Sequence, residues 1–319
     1  MLSKNIKKEM KLFQKKYSSY INSDVPLLKS VISFIVKNKG KQIRPQLILI
    51  LSKGYKSKLE EDTYTSCVLV ETLHNATLLH DDVVDDASLR RGVFSVNNIW
   101  KNKIAVLVGD YLLAKGVIIS SEQDKKEHLN ILSNTVKTMI EGELTQFKKN
   151  NNIKISEKEY FNIINKKTGS LFNACGQFVA LNNNLSKNEE KILQKITNNI
   201  GIIFQIKDDL LDFEKTKRKS KTKFIDIINN QLTLPIIYVL RKSSFKIKRQ
   251  LKGLLKKDDK NYEIIENIYK IITEEGGIKY SENKIIELQE ETFILINQLS
   301  LNNKAEIREM IKYISKRKI

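Results

Sequence analysis

Two stretches of the chain set acid into otherwise apolar helical sequence with one spacing: Asp81-Asp82-Val83-Val84-Asp85 and Asp208-Asp209-Leu210-Leu211-Asp212. The outer aspartates of each run are four residues apart, so on a helix their carboxylates share one face, one turn apart. Like charges at that spacing repel unless a cation holds them, and acids in apolar surroundings cost more still. Shortly after Asp85 come Arg90 and Arg91, whose forked guanidinium groups suit phosphate oxygens. Carboxylates that gather a hard cation, beside arginines that gather phosphate, point to a magnesium–diphosphate site, because Mg²⁺ is usually held by one or two carboxylates plus substrate phosphates. A single acidic run reads equally well as a solvated helix end; the repetition favours the metal.

The rest of the chain agrees with long helices. Only 3 Pro and 12 Gly interrupt 319 residues, and no strand-like alternation of any length is visible. We expect one all-α domain over residues 1–319, with enough chain to bury a substantial core. There is no Rossmann glycine pattern, no P-loop, and no Ser/His/Asp arrangement. Cys67 and Cys175 both fall in apolar-periodic segments and read as buried, reduced thiols.

The net charge of +19 admits nucleic acid, an anionic membrane or acidic substrates as partners. Its lysines, however, are spread along the whole chain, and the abundance of Lys, Asn and Ile points to AT-rich codons. With no helix-turn-helix, finger or aromatic stacking motif, no nucleic-acid partner is expected, although a basic helical nucleic-acid-binding protein remains the rival from another class. The N-terminus lacks the apolar core of a signal peptide. Uninterrupted apolar runs such as Leu47–Leu51 are too short to span a bilayer. The expectation is a cytoplasmic protein with no stable membrane insertion.

Four motifs in order resemble the trans-polyprenyl diphosphate synthases: Gly40-Lys41-Gln42-Ile43-Arg44-Pro45, Leu79-His80-Asp81-Asp82 through Arg90-Arg91-Gly92, Lys167-Thr168-Gly169-Ser170-Leu171, and Phe204-Gln205 through Asp212. The resemblance runs from about Gly40 to Pro235, with a weaker echo in Tyr313-Ile314-Ser315-Lys316-Arg317. It implies an isoprenoid-synthase bundle around a central cavity, with the two aspartate-rich helices facing each other at its mouth. It also implies a homodimer and Mg²⁺ bound with the allylic diphosphate. Asp81, Asp85 and Asp208 would be the main metal ligands, with Asp82, Asp209 and Asp212 supporting. Lys41, Arg44, His74 and Arg91 would hold isopentenyl diphosphate. Arg90, Lys167 and Lys221 would contact the allylic diphosphate, and Thr168 and Gln205 would line its site. The reaction implied is condensation of the two diphosphates to a long all-trans polyprenyl diphosphate, octaprenyl-like, for a quinone side chain. Alternatives are a geranylgeranyl- or farnesyl-length product, or one subunit of a heteromeric synthase.

The segment from Lys215 to Leu232 departs most from that pattern. Ser220-Lys221-Thr222-Lys223-Phe224-Ile225-Asp226 stands where the family has Gly-Lys-x-x-Gly-x-Asp, and Gln231 stands where it has a second lysine.

Spacing also sets expectations for the helices. A stripe of Leu2, Ile6, Met10, Phe13 and Tyr17 marks an amphipathic helix over residues 1–20. Pro26 can start the next helix. Glu60 to Asp86 reads as one helix ending in the first aspartates. Glu143 and Gln146 lie one turn apart on a helix over 124–149, and the resemblance faces such residues into the cavity. Ser156 with Glu159 is a capping box for a helix running to Ala180 through Lys167 and Thr168, and Glu189–Glu214 forms another long helix. Ala76 and Thr77 sit roughly 6–7.5 Å down the helix from Asp81 at 1.5 Å per residue. Both are small where short-chain relatives carry aromatics, so a growing product passes them and meets a floor deeper, at Leu73 or Leu69.

Overall fold

The computed structural model describes residues 3–121, 125–149, 152–213, 224–229, 231–257 and 260–317. The described residues are all-α apart from one two-residue ladder. Helix α1 (Lys4–Tyr20) starts at Ser3, whose hydroxyl accepts from the Ile6 amide, and buries Ile6, Met10, Phe13 and Tyr17. Pro26 opens α2 (Pro26–Lys37). Then come α3 (Ile43–Tyr55) and α4 (Glu61–Val84). Strands β1 (Leu89–Arg90) and β2 (Val93–Phe94) pair antiparallel. Their turn, Arg91-Gly92, has φ of 54° and 79°, the doubly left-handed geometry that matches hairpin twist and favours glycine second. This ladder is absent from the sequence reading because two residues are too few to alternate.

The remaining elements are α5 (Val96–Trp100), α6 (Asn102–Ser121), α7 (Lys126–Lys149), α8 (Glu157–Ile164), α9 (Ser170–Asn182), α10 (Lys187–Asp212), α11 (Ile225–Ile228), α12 (Leu234–Lys242), α13 (Phe245–Leu255), α14 (Tyr262–Glu274), α15 (Gly277–Asn297) and α16 (Lys304–Lys316). The helix expected from Ser156 to Ala180 is broken by a π-helical turn, Asn165–Gly169, between α8 and α9. Such bulges recur at functional sites, and this one carries Lys167 and Thr168.

The described chain separates into two compact units. One draws on Met1–Lys137, Leu171–Gln194 and Asn297–Ile307; the other on Thr138–Ser170, Lys195–Ile296 and Arg308–Ile319. Nothing in the local sequence marks this division, because no linker separates the units: three of the boundaries fall inside α7, α10 and α16.

In the first unit the core is α3 and α4. Leu47 through Leu51 and Cys67 through Val70 have no exposure at all, as expected of helices apolar on every side. Each such leucine or isoleucine contributes about 1.5–3 kcal/mol relative to an exposed one. Helix α4 packs chiefly on α6 and α3, which holds its acidic end in place.

Helix α6 corrects the reading that the apolar stretches are too short to span a bilayer. With mean hydropathy 1.7 it is long and apolar enough to cross a membrane by length and composition, and 39% of that window is buried here. Counting uninterrupted runs missed it, because Gly109, Asp110, Tyr111 and Lys115 punctuate the helix.

In the second unit Phe213, Phe224, Ile227, Ile236, Ile268 and Ile272 share one core. Phe224 takes a left-handed φ of 58°, a conformation that costs a residue with a Cβ roughly 1–2 kcal/mol. Its ring is buried and meets Phe213 and Tyr269 edge-on, at 6.4 and 5.7 Å, so packing offsets the strain.

Candidate active site

In the first unit, the cations expected to hold a diphosphate gather around the start of α3 and the end of α4. Gln42 caps α3 with φ 50° and is tied on both sides: its Oε1 accepts from Gln14 (3.0 Å) and its Nε2 donates to the buried Glu71 (3.4 Å). On either side of Gln42 in the sequence lie Lys41, exposed, and Arg44, buried to 8% exposure. Arg44 Nη1 lies 3.2 Å from His74 Nε2, and its guanidinium sits 4.7 Å over the Phe172 ring. Arginine only donates, so His74 Nε2 accepts and the ring proton sits on Nδ1. Burial, then Arg44, Arg91 and Arg90, hold His74 well below its ordinary pKa; it is neutral at physiological pH.

Arg91 extends from the hairpin turn to the end of α2, where Nη1 donates to Asn38 O at 3.3 Å. Its guanidinium packs on the open face of Gly40, where a Cβ would fall 2.5 Å from Cζ. Arg90 behaves differently. Its Nε lies 2.7 Å from both oxygens of Asp82, and Nη2 lies 2.7 Å from Oδ1. Asp82 is 2% exposed, and its backbone carbonyl accepts from Asn97 Nδ2 at 3.1 Å. The structure thus gives Asp82 and Arg90 to each other. Asp81 lies in the last turn of α4, and Asp85 is its C-cap. Ala76 is fully buried, whereas Thr77 is partly exposed and its hydroxyl donates to His74 O.

In the second unit the π-helical turn presents Lys167 to Glu143 at 2.8 Å. Helix α7 approaches the turn closely because Gly142 faces it; a Cβ there would lie 2.7 Å from the Lys167 amide nitrogen. Thr168 donates to Gln205 Oε1 (2.5 Å), Gln205 Nε2 donates to Asp209 Oδ1 (2.8 Å), and Tyr160 donates to Asp209 Oδ2 (2.6 Å). Both oxygens of Asp209 are thereby occupied, and burial raises its pKa to about 7. Asp208 is exposed and pairs with Arg317 at 2.8 Å; Arg317 also lies 3.8 Å over the Phe204 ring. Asp212 accepts from the Asp226 amide at 3.1 Å. Burial, then repulsion by Asp209, Asp212 and Asp208, pushes Asp226 well up, with Lys167 opposing. Lys221 lies outside the described residues.

The residues suit a hard cation. Asp81 and Asp85 end α4, Asp208 and Asp212 end α10, and neither helix has a basic residue in its last turn. A helix C-terminus carries about half a negative charge, which adds to the carboxylate field where repulsion is already greatest. Among the described residues no three His, Cys, Asp or Glu side chains form a closed ligand set. Paired carboxylates completed by substrate oxygens are the arrangement Mg²⁺ favours.

Sequence reasoning gave no role to Tyr160, Lys149 or Arg317. Tyr160 could have been found: it precedes Lys167 by seven residues, two helical turns. Arg317 stood in a motif noticed without a partner, since nothing in the spacing connects it to Asp208.

Comparisons with known proteins place the chain in a family and a fold. The family described as polyprenyl synthetase matches residues 25–272. A decaprenyl-diphosphate synthase of Dictyostelium discoideum is 40% identical over 125 residues, 39% of this chain and 27% of that protein. An octaprenyl diphosphate synthase of Escherichia coli is 34% identical over 140 residues, 43% of this chain and 42% of that protein. The matched segments thus span less than half of these curated relatives. The crystal structure of a decaprenyl diphosphate synthase from Rhodobacter capsulatus superposes with a TM-score of 0.90 at 26% identity, covering 98% of this chain and 97% of that one.

Proposed function

The chain belongs to the polyprenyl synthetase family, and from that premise we propose that it is a Mg²⁺-dependent prenyltransferase joining isopentenyl diphosphate to an allylic diphosphate. The product is a long all-trans polyprenyl diphosphate, octaprenyl-like. The observation that carries this reading is that α4 and α10 each end in aspartates one turn apart, where the carboxylates add to the negative end of the helix dipole.

Lys41, Arg44, neutral His74 and Arg91 bind the diphosphate of isopentenyl diphosphate, which needs fixed charge and donors. Lys167 stands beside the departing allylic diphosphate and steadies charge as the C–O bond breaks. Gln205 and Thr168 hold Asp209 and the π-helical turn in register. Asp81, Asp85, Asp208 and Asp212 would hold Mg²⁺, which supplies Lewis-acid stabilisation of the leaving diphosphate when bound. The isopentenyl double bond then attacks the allylic carbon, and the condensed product loses a proton to the released pyrophosphate.

A second copy of the chain is the proposed partner. Val106, Leu107, Val117 and Ile118 are 38–54% exposed along α6, and Ile140, Leu144 and Phe147 are 53–73% exposed at helical spacing on α7. Contiguous exposed apolar patches mark interaction sites. Light scattering on the purified chain tests this, with a dimer mass expected and a monomer contradicting it.

The function is tested by incubating the purified chain with Mg²⁺, labelled isopentenyl diphosphate and single allylic primers, then sizing the products. Elongation beyond the twenty-carbon stage is expected. No elongation from any primer overturns the proposal; elongation only after a second protein is added makes the chain a subunit.

A further inference from the structure

The pocket of the second unit is lined by Lys149, Tyr160, Lys167, Gln205, Asp209 and Gln231, among others. Lys149 and Lys167 are the cationic side chains among its described lining. Each is held by a glutamate: Lys167 by Glu143 at 2.8 Å, and Lys149 by Glu159 at 2.7 Å. Glu159 is itself fixed, because its other oxygen accepts from both the amide and the hydroxyl of Ser156 in the capping box of α8. The ammonium of Lys149 is therefore held by a fixed counter-ion that a bound diphosphate has to displace.

We propose that Lys149 is a second diphosphate-binding cation of this pocket, acting with Lys167 on the allylic substrate. The inference rests on the prenyl-transfer reading. A diphosphate brings more negative charge than one lysine offsets, and a charge-assisted contact is stronger than a neutral one. The exchange costs little. The side chains of Lys149 and Glu159 are 31% and 41% exposed, and exposed pairs of this kind are weak. When the diphosphate enters, Lys149 turns from Glu159 to the substrate, and Glu159 keeps its Ser156 bonds and its water. No bond is made or broken.

The test uses the full chain, steady-state kinetics with each substrate, and calorimetry with Mg²⁺ and inorganic pyrophosphate. Lys149→Met should raise KM for the allylic diphosphate about tenfold, the loss of one charge-assisted contact, with kcat within about twofold and KM for isopentenyl diphosphate unchanged. Gln231→Lys, which puts an ammonium on the same pocket wall, should restore the KM of Lys149→Met. Glu159→Gln, which leaves Lys149 without its rigid counter-ion, should lower the allylic KM. Unchanged allylic KM and pyrophosphate affinity in Lys149→Met overturn the proposal, and so does an equal rise for both substrates without rescue by Gln231→Lys. Should Lys149→Met fail to fold, Glu159→Gln decides alone: an unchanged or raised allylic KM overturns the proposal. Wild-type protein that neither turns over nor binds pyrophosphate with Mg²⁺ defeats the prenyl-transfer reading itself.

Discussion

Arg90 grips Asp82 with two nitrogens, Nε at 2.7 Å from both carboxylate oxygens and Nη2 at 2.7 Å from Oδ1. Adjacent aspartates of one motif therefore have different duties. Asp82 closes the hairpin onto the end of α4, whereas Asp81 is one of the acids we propose for the cation. Asp82→Ala should destabilise the protein by roughly 2–3 kcal/mol, near the lower end for breaking a buried pair because Arg90 is partly exposed. Asp81→Ala without Mg²⁺ should be neutral or slightly stabilising, since it removes repulsion at a helix C-terminus. Chemical denaturation of the two variants checks the contrast; equal destabilisation contradicts it.

His74 sets a pH dependence. Its pKa is lowered in the folded protein from 6.5, first by burial and then by Arg44, Arg91 and Arg90. Below about pH 6.5 the unfolded chain takes up a proton that the folded one refuses, so the stability contribution is present above that pH and is lost as pH falls. The unfolding free energy of wild type relative to His74→Gln should drop by up to about 1.4 kcal/mol per pH unit below that point. A difference constant between pH 7.5 and pH 5 would show that the ring is not kept neutral.

Phe224 occupies a left-handed backbone position, φ 58°, where the resemblance expects glycine. Phe224→Gly removes strain but opens the core shared with Phe213 and Tyr269. Losing a buried phenylalanine costs about 3–5 kcal/mol, and relief of the backbone returns about 1–2. Net destabilisation of roughly 1–4 kcal/mol follows from the difference, measurable by denaturation. A stabilised variant would mean that the aromatic packing contributes little.

Product length can be probed beside the aspartates. Ala76 has no exposure, so Ala76→Phe must overpack the helix, but Thr77 is partly exposed. Thr77→Phe should fold, keep activity and shorten the product. Chromatography of the reaction products checks it; an active, folded variant with unchanged chain length moves the floor elsewhere.

The helices were legible because burial follows periodicity directly. Ile6, Met10, Phe13 and Tyr17 are buried as their spacing demands, and Ser156 with Glu159 forms the capping box their identities imply. The aspartate pairs fell where expected, at the ends of α4 and α10. What local sequence could not carry was pairing across long separations. Arg317 with Asp208 and Tyr160 with Asp209 join residues 109 and 49 apart. The π-helical turn was hidden because one extra residue per turn leaves composition unchanged. The two units were hidden because their boundaries lie inside helices.

On our proposal, prenyl transfer by this chain depends on its paired aspartates and Mg²⁺. Its most direct test is Mg²⁺-dependent pyrophosphate release from isopentenyl diphosphate and an allylic primer, in wild type, Asp81→Ala and Asp208→Ala, with helical content followed by circular dichroism. Release by wild type is expected only with Mg²⁺, with a loss of about a hundred- to a thousandfold in each variant, the order of removing one charge-stabilising group, and unchanged helical content. Full activity in either variant, or release indifferent to Mg²⁺, would contradict it.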